Sequence, residues 1–242
     1  MKKSGGVEMK VCVLIPAYNE GGRIGRLVER ILTLKEIADV IVVDDGSTDS
    51  TYEEAKRVGA IVLKHERNVG KGAAIRTGFS YLQGKKWRAV ITMDGDGQHD
   101  YRELPHFVEA FKKGASDIIL GSRMHKCEDM PLIRYLTNRF TSFVTSLLGK
   151  CRVTDSQSGF RLISTDVINQ LSLSSCNFEI ESEVIIKGAR RGFRIAEIPI
   201  STIYLPDSVK KSKIHPLIDT LRFFRLAIRS LRMKGEQRRE NV

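Results

Sequence analysis

Four short apolar runs, at residues 11–15, 40–43, 61–63 and 90–93, constrain this chain more than any other feature. Each gives way to a polar turn rich in Asp or Gly, and most of these turns lead into a stretch of helical spacing. An unbroken apolar run of this length reads as a strand buried on both faces, the habit of parallel sheets. Helical patterns run through Ile24, Leu27, Val28, Ile31 and Leu32, from the 68–72 loop to Tyr81, and over 104–111; a fifth strand is expected at 117–120. Ser47 or Thr48 is placed to cap a helix beginning near Asp49. Strands alternating with helices predict an α/β fold with a doubly wound, mostly parallel sheet. Ligands of such sheets bind beyond the carboxyl ends of the strands. The polar clusters at 16–20, 44–51, 68–72, 94–99 and 121–123 all fall there.

The later half changes character. Leu132, Leu136, Phe140, Phe143 and Leu147 recur at helical spacing, with Arg134 and Arg139 among them. GFRLIS and FRIAEIPI read as two further strands around a helix at 179–191. The last helix, at about 217–233, is amphipathic: Leu217, Leu221, Phe224, Ile228 and Leu231 form one face, and Arg222, Arg225, Arg229 and Arg232 another. No Pro/Gly/Ser-rich linker separates the parts.

The 242 residues are enough for a substantial core. The net charge of +11 points to an anionic partner: a nucleotide, a nucleic acid or a membrane surface. Basic residues bound for nucleic acid interleave with aromatics. Here they gather at the C-terminus, where 207–242 holds ten Lys/Arg against four Asp/Glu, so no nucleic acid partner is expected. Cys12, Cys127, Cys151 and Cys176 lie far apart with no C-x-x-C, which argues against a zinc site or a disulfide framework and for reduced, cytoplasmic thiols. MKKSGGVEMK precedes no signal-type apolar core, and no run approaches the ~20 apolar residues of a spanning helix.

The sharpest chemical motif is MDGDGQH at 93–99. A buried strand that ends in Asp94 and Asp96 crowds two carboxylates, each raising the other's pKa. A divalent cation removes that cost, and hard oxygen donors such as Asp94, Asp96 and the Gln98 amide suit Mg²⁺ or Mn²⁺. The bland alternative is an acidic turn with Asp and Gly present for turn chemistry alone. Other phosphate signatures fail: no G-x-G-x-x-G opens a helix, Gly70-Lys71 is followed by Gly72 rather than Ser or Thr, and no nucleophile elbow occurs.

Taken in order, PAYNE at 16–20, VVDDGSTDST at 42–51, NVGKGAAIRTGF at 68–79, MDGDGQH, GSR at 121–123, SGFR at 158–161 and EIPISTIY at 197–204 followed by SKI resemble the family-2 glycosyltransferases of the GT-A fold. The likeness is strongest to the dolichyl-phosphate mannose synthase and polyprenyl-phosphate glycosyltransferase branch. It implies a GT-A catalytic domain over 1–213, followed by a basic amphipathic helix and tail over 214–242. It further implies that Pro16, Tyr18, Glu20, Val43 and Asp45 line the nucleotide, with Asp45 accepting a hydrogen bond from the base; the plain alternative for Asp44 and Asp45 is loop capping, which can be all that Asp44 does. Asp94, Gly95 and Asp96 match the family D-x-D, with Asp96 and Gln98 holding the metal against the diphosphate. Arg123 matches a basic residue near the diphosphate and the acceptor phosphate. Arg134 and Asn138 match an Arg and Ser pair, and Lys213 a phosphate contact. Asp207 stands where the mannose synthases carry Arg, which leaves UDP-sugars open beside GDP-mannose.

The activity so implied is inverting transfer of a hexose from a UDP- or GDP-sugar to a polyprenyl monophosphate. A lipid phosphate is already largely dianionic at neutral pH and needs cations, not a base. A sugar-hydroxyl acceptor needs a carboxylate base, for which Glu179 and Glu181 are the candidates. A non-catalytic sugar-nucleotide sensor on the same fold is a further alternative, disfavoured by the presence of Asp94, Asp96 and Gln98. A lipid acceptor and the basic C-terminal helix together imply peripheral attachment to the cytoplasmic face of a membrane, with or without a separate membrane-spanning partner.

Overall fold

The structure is a computed structural model that describes residues 10–125, 130, 132–201 and 222–231. Seven strands form one sheet: β1 (Val11–Ala17), β2 (Ile37–Asp44), β3 (Ile61–Lys64), β4 (Ala89–Thr92), β5 (Ile118–Ser122), β6 (Arg161–Ser164) and β7 (Ile195–Pro199). Their order is β3-β2-β1-β4-β6-β5-β7, and all pairs are parallel except those of β6, which runs antiparallel to β4 and β5. The expected mostly parallel sheet is therefore present, with β6 as its antiparallel member.

Continuous apolar strands follow from burial on both faces. Val11, Val13 and Ile15 meet α1 (Ile24–Leu32) and α4 (Leu104–Lys112) on one side, through Ile24, Val28, Ile31, Leu104 and Phe107. Cys12 and Leu14 meet α3 (Lys71–Leu82), α6 (Thr165–Gln170) and α7 (Ile180–Arg190) on the other, through Ala74, Phe79, Val167 and Val184. A Cβ on Gly78 would lie 2.4 Å from Leu14 Cδ1, so this glycine lets α3 settle directly on β1.

Two local expectations change. Pro16 does not end β1; the strand runs on to Ala17, with Pro16 opposite Val43 of β2. On the other edge β4 stops at Thr92, opposite Leu14, so the missing Pro16 N–H costs no ladder bond there. Helix α2 (Thr51–Arg57) begins later than expected. The Ser47 hydroxyl accepts from Asn19 N (2.9 Å), and Thr48 N donates to Asn19 Oδ1 (2.9 Å), so both residues tie the loop after β2 to the loop after β1 instead of capping a helix.

Helix α5 (Leu132–Gly149) is turned inside out. Its buried face is largely polar or small, Asn138, Ser142, Thr145 and Gly149, with Leu148 as the one large apolar residue. Its apolar stripe is exposed, with Ile133 at 81%, Phe143 at 66% and Leu147 at 67%. Helix α8, residues 222–231, packs on α5 and α7 through Leu226 and Ala227 against Leu148 and Ile186. Phe224, Ile228 and Leu231, the described part of the expected apolar face, are also exposed, and Phe224 approaches Phe140 with ring centroids 6.4 Å apart. Leu217, Leu221, Arg232, Asp207, Lys213 and the 213/214 boundary lie outside the described residues.

Phe107 is fully buried and packs on Phe160 at 4.5 Å between centroids, joining α4 to the sheet. Phe107→Ala is expected to destabilise the fold by about 3–5 kcal/mol, from lost transfer energy and a cavity; urea unfolding with an unchanged m-value checks this.

Candidate active site

The loops after β1, β2 and β4 and the start of α3 converge at the carboxyl edge of the sheet. Asp45 is buried and organises one side. Its carboxylate accepts from Val69 N (3.0 Å), Gly70 N (2.8 Å) and the His65 ring (2.7 Å), which shapes the turn into α3. Asp45 therefore positions the loop rather than presenting an idle acceptor. Asp44 takes the Ser47 N–H on Oδ1 (2.9 Å), the loop-capping role expected of it, while its buried Oδ2 has no partner among the described residues. Val43 is fully buried in β2, below the loop. On the β1 side, a Cβ on Gly95 would meet Ile15 at 3.3 Å, Glu20 at 3.5 Å and Pro16 O at 3.6 Å. Pro16, Glu20 and the D-x-D turn are thus in contact, and half-buried Tyr18 lies between Pro16 and Glu20 in sequence.

At the centre, Lys71 bridges two carboxylates: Nζ lies 2.6 Å from Asp94 Oδ1 and 2.8 Å from Glu181 Oε1. Burial pushes the ammonium pKa down, but the two negative charges outweigh it and Lys71 stays charged. Burial likewise opposes the charged form of Asp94, and the Lys71 charge more than compensates, so that carboxyl lies well below its ordinary range. Gly159 faces this pair; a Cβ there would stand 2.9 Å from Lys71 Nζ and 3.0 Å from Asp94 Oδ1, which leaves no room for a side chain.

Asp96 differs from its neighbour. Burial, then the Asp94 charge, raise its pKa, and among the described residues no cation pairs with it. It accepts only the Gln98 backbone N–H, at 3.0 Å. A carboxylate held in this state gains from a hard divalent cation, so Asp96 fits a metal, with the half-buried Gln98 beside it. Lys71 holds Asp94 through Oδ1, so Asp94 can join through Oδ2. No cluster of three or more His, Cys, Asp and Glu suited to a metal occurs among the described residues, as expected if substrate phosphates complete the shell. His99 stacks on Phe160 and takes the Asp94 N–H on Nδ1 (3.1 Å), so its proton sits on Nε2; burial lowers its pKa and keeps it neutral.

A second charged group adjoins the first. Arg123 reaches Asp155 with Nε at 2.7 Å and Nη2 at 2.8 Å, and Asn138 Nδ2 donates to the same carboxylate at 3.0 Å. Burial raises the Asp155 pKa, but the Arg123 hydrogen bonds and charge overcome this and hold it low. Arg123 also helps depress Asp94, so its charge reaches the D-x-D. Asn138 therefore faces the site through Asp155. Arg134 is exposed on α5 and is not drawn into this network, and Lys213 lies outside the described residues. Asp155 was not singled out by the motifs, and Arg161 only as part of SGFR. The Arg161 guanidinium is buried and donates to Glu181 O (2.7 Å) and Ser156 O (3.3 Å). The polar TDSQS run before β6 is the available signal for Asp155.

The chain matches the family described as glycosyl transferase family 2 over residues 12–172, and it belongs to that family. Among its relatives, the UDP-N-acetylglucosamine–dolichyl-phosphate N-acetylglucosaminyltransferase of Methanococcus voltae is 32% identical, over 83% of this chain and 88% of the relative. The dolichol-phosphate mannosyltransferase of Pyrococcus furiosus is also 32% identical, over 80% of this chain and 56% of the relative. Among solved structures, glucosyl-3-phosphoglycerate synthase of Mycobacterium tuberculosis, in complex with Mn²⁺, UDP-glucose and phosphoglyceric acid, has a TM-score of 0.68 at 18% identity, covering 93% of this chain and 79% of that one. These likenesses place the protein among polyprenyl-phosphate glycosyltransferase-like members of the family, on a GT-A fold.

Asp155→Asn removes a buried carboxylate charge that Arg123 and Asn138 both bind and is expected to cost about 3–5 kcal/mol at neutral pH. The native contribution is fully present above the ordinary carboxylate value of about 3.9 and fades as pH falls through the depressed folded value. The gap between variant and native protein should therefore narrow as pH falls below the ordinary carboxylate range; urea titrations at falling pH check it.

Proposed function

We propose that the chain transfers a hexose from a nucleotide diphosphate sugar to a polyprenyl monophosphate with inversion, at the cytoplasmic face of a membrane. The observation that carries the choice of acceptor is the pairing of Glu181 with Lys71. A hydroxyl acceptor needs a carboxylate base, and this candidate is buried and committed to an ammonium. Glu179, the other candidate, lines a cleft against α8. A phosphate acceptor needs no base. The Methanococcus voltae relative, whose name specifies a UDP-sugar and dolichyl phosphate, supports the same reading.

Each residue has a task in this reading. Pro16, Tyr18, Glu20 and Val43 border the nucleotide. Asp45 fixes the turn that carries Gly70 and Lys71. Asp96 and Gln98, with Asp94, hold Mg²⁺ or Mn²⁺, which supplies charge stabilisation for the leaving diphosphate. Lys71, already charged and fixed in place, offers the diphosphate a cation without reorganisation. Arg123, oriented by Asp155, directs the acceptor phosphate toward the anomeric carbon, with Lys213 as a further phosphate contact and Arg134 at the outer edge. Peripheral attachment through the C-terminal helix brings the site to the lipid, with or without a membrane-spanning partner; no described helix is long and apolar enough to cross a membrane.

The test is an assay of the purified chain with Mg²⁺ or Mn²⁺, UDP- and GDP-sugars, and short polyprenyl phosphates. We expect a lipid-linked sugar, with UDP-sugars used at least as well as GDP-mannose because Asp207 replaces an Arg. Asp96→Ala should lower turnover by about 10²–10³, the scale of a lost electrostatic stabiliser, with an unchanged circular dichroism spectrum. Full activity in excess chelator contradicts the reading.

A further inference from the structure

Helix α8 and the loop before α7 enclose a cleft of about 200 Å³ that has no part in the chemistry above. Its walls include Ser174, Ser175 and Glu179 on the loop and Arg222, Arg225 and Arg229 on the helix. The three arginines share one side of α8, at i, i+3 and i+7. Arg229 Nη1 donates to Ser174 Oγ at 2.8 Å, which ties the helix to the loop. Behind the cleft, Arg76 of α3 donates to Cys176 Sγ at 3.5 Å, and its buried Nε has no partner among the described residues. Three guanidinium groups and one carboxylate, Glu179, thus line the cleft, with Arg76 behind Cys176. Guanidinium forks are donors matched to a phosphate oxyanion, while the Ser174 hydroxyl is already given to Glu183 Oε1 at 3.0 Å.

The surroundings identify the source of that phosphate. The next side of α8 exposes Phe224, Ile228 and Leu231, continuous through Phe140 with the exposed stripe of α5. Apolar surface of this extent marks a docking site. Together α5 and α8 carry Arg134, Arg139, Arg222, Arg225 and Arg229 and no Asp or Glu. A second copy of the chain would bring the same positive charges against these, whereas an anionic bilayer meets both the apolar stripe and the charge. A helix lying in the interface holds its basic side at headgroup depth. We propose that the cleft between α8 and residues 174–179 is a phosphate site that takes an anionic lipid headgroup when the α5–α8 face rests on a bilayer. The same loop reaches the transferase centre: Ala73 N donates to Cys176 O at 3.1 Å, and Lys71 lies over the Phe178 ring at 5.4 Å. Headgroup binding therefore bears on the element that sets Lys71. The site stands whether or not the chain transfers a sugar.

The test is low-salt co-sedimentation of the full chain with vesicles of phosphatidylcholine alone and of phosphatidylcholine with phosphatidylglycerol. Native protein should prefer the anionic vesicles by about tenfold or more. Arg222→Gln with Arg225→Gln should abolish most of that preference and leave binding to neutral vesicles unchanged; Arg225→Gln alone, at an exposed position, serves if the pair fails to fold. Arg139→Gln with Arg152→Gln removes the same charge outside the cleft and should cost less than about threefold. Equal losses in the two pairs would mean diffuse attraction and overturn the site. Displacement by soluble glycerol 3-phosphate would assign the cleft to free phosphate and overturn the lipid. Self-association without vesicle binding would assign the face to a second copy and do the same.

Discussion

The structure turns on one half-buried cation. Lys71 sits at the start of α3 and neutralises Asp94 at the end of β4 and Glu181 in α7, three segments far apart in sequence. A carboxylate as buried as Glu181 costs several kcal/mol without a counter-charge, and the half-buried Asp94 less. The ammonium offsets that cost and fixes the relative position of the three segments. Gly159 yields its side-chain space to the pair, and Asp45 shapes the turn that delivers Lys71. The same balance leaves Asp96, among the described residues, without a cation of its own. Structural electrostatics and the readiness to accept a metal are therefore one arrangement.

Much of this was legible in the sequence. The unbroken apolar runs predict β1, β2 and β4 because strands buried on both faces admit no alternation. The polar clusters fall beyond the strand ends because only there does the chain turn into solvent. The direction of β6 was not legible: its four residues pair with β4 and β5, and long-range pairing sets direction, not local pattern. Asp155 stayed hidden for a similar reason. Its partners Arg123 and Asn138 lie 32 and 17 residues away and meet it only in the folded chain.

Helix α5 shows the limit of periodicity. Its spacing predicts a helix whichever way it is rotated about its axis. An apolar stripe ordinarily faces the core, but here the inner positions carry Asn138, Ser142 and Thr145, which bond Asp155, Ser156 and Ser182. That polar network fixes the rotation and leaves Phe143 and Leu147 outside. One helix thereby holds a residue against the charged site and presents an apolar surface away from it, the geometry that the proposed transfer to a lipid-borne acceptor calls for.

The most direct test of the account is the position of Mn²⁺ in crystals soaked with Mn²⁺ and UDP, read from anomalous scattering. The account predicts a peak bonded to an Asp96 oxygen, with the diphosphate beside it and Lys71 still paired with Glu181. A peak remote from Asp96, or UDP bound away from the carboxyl ends of β1, β2 and β4, would contradict it.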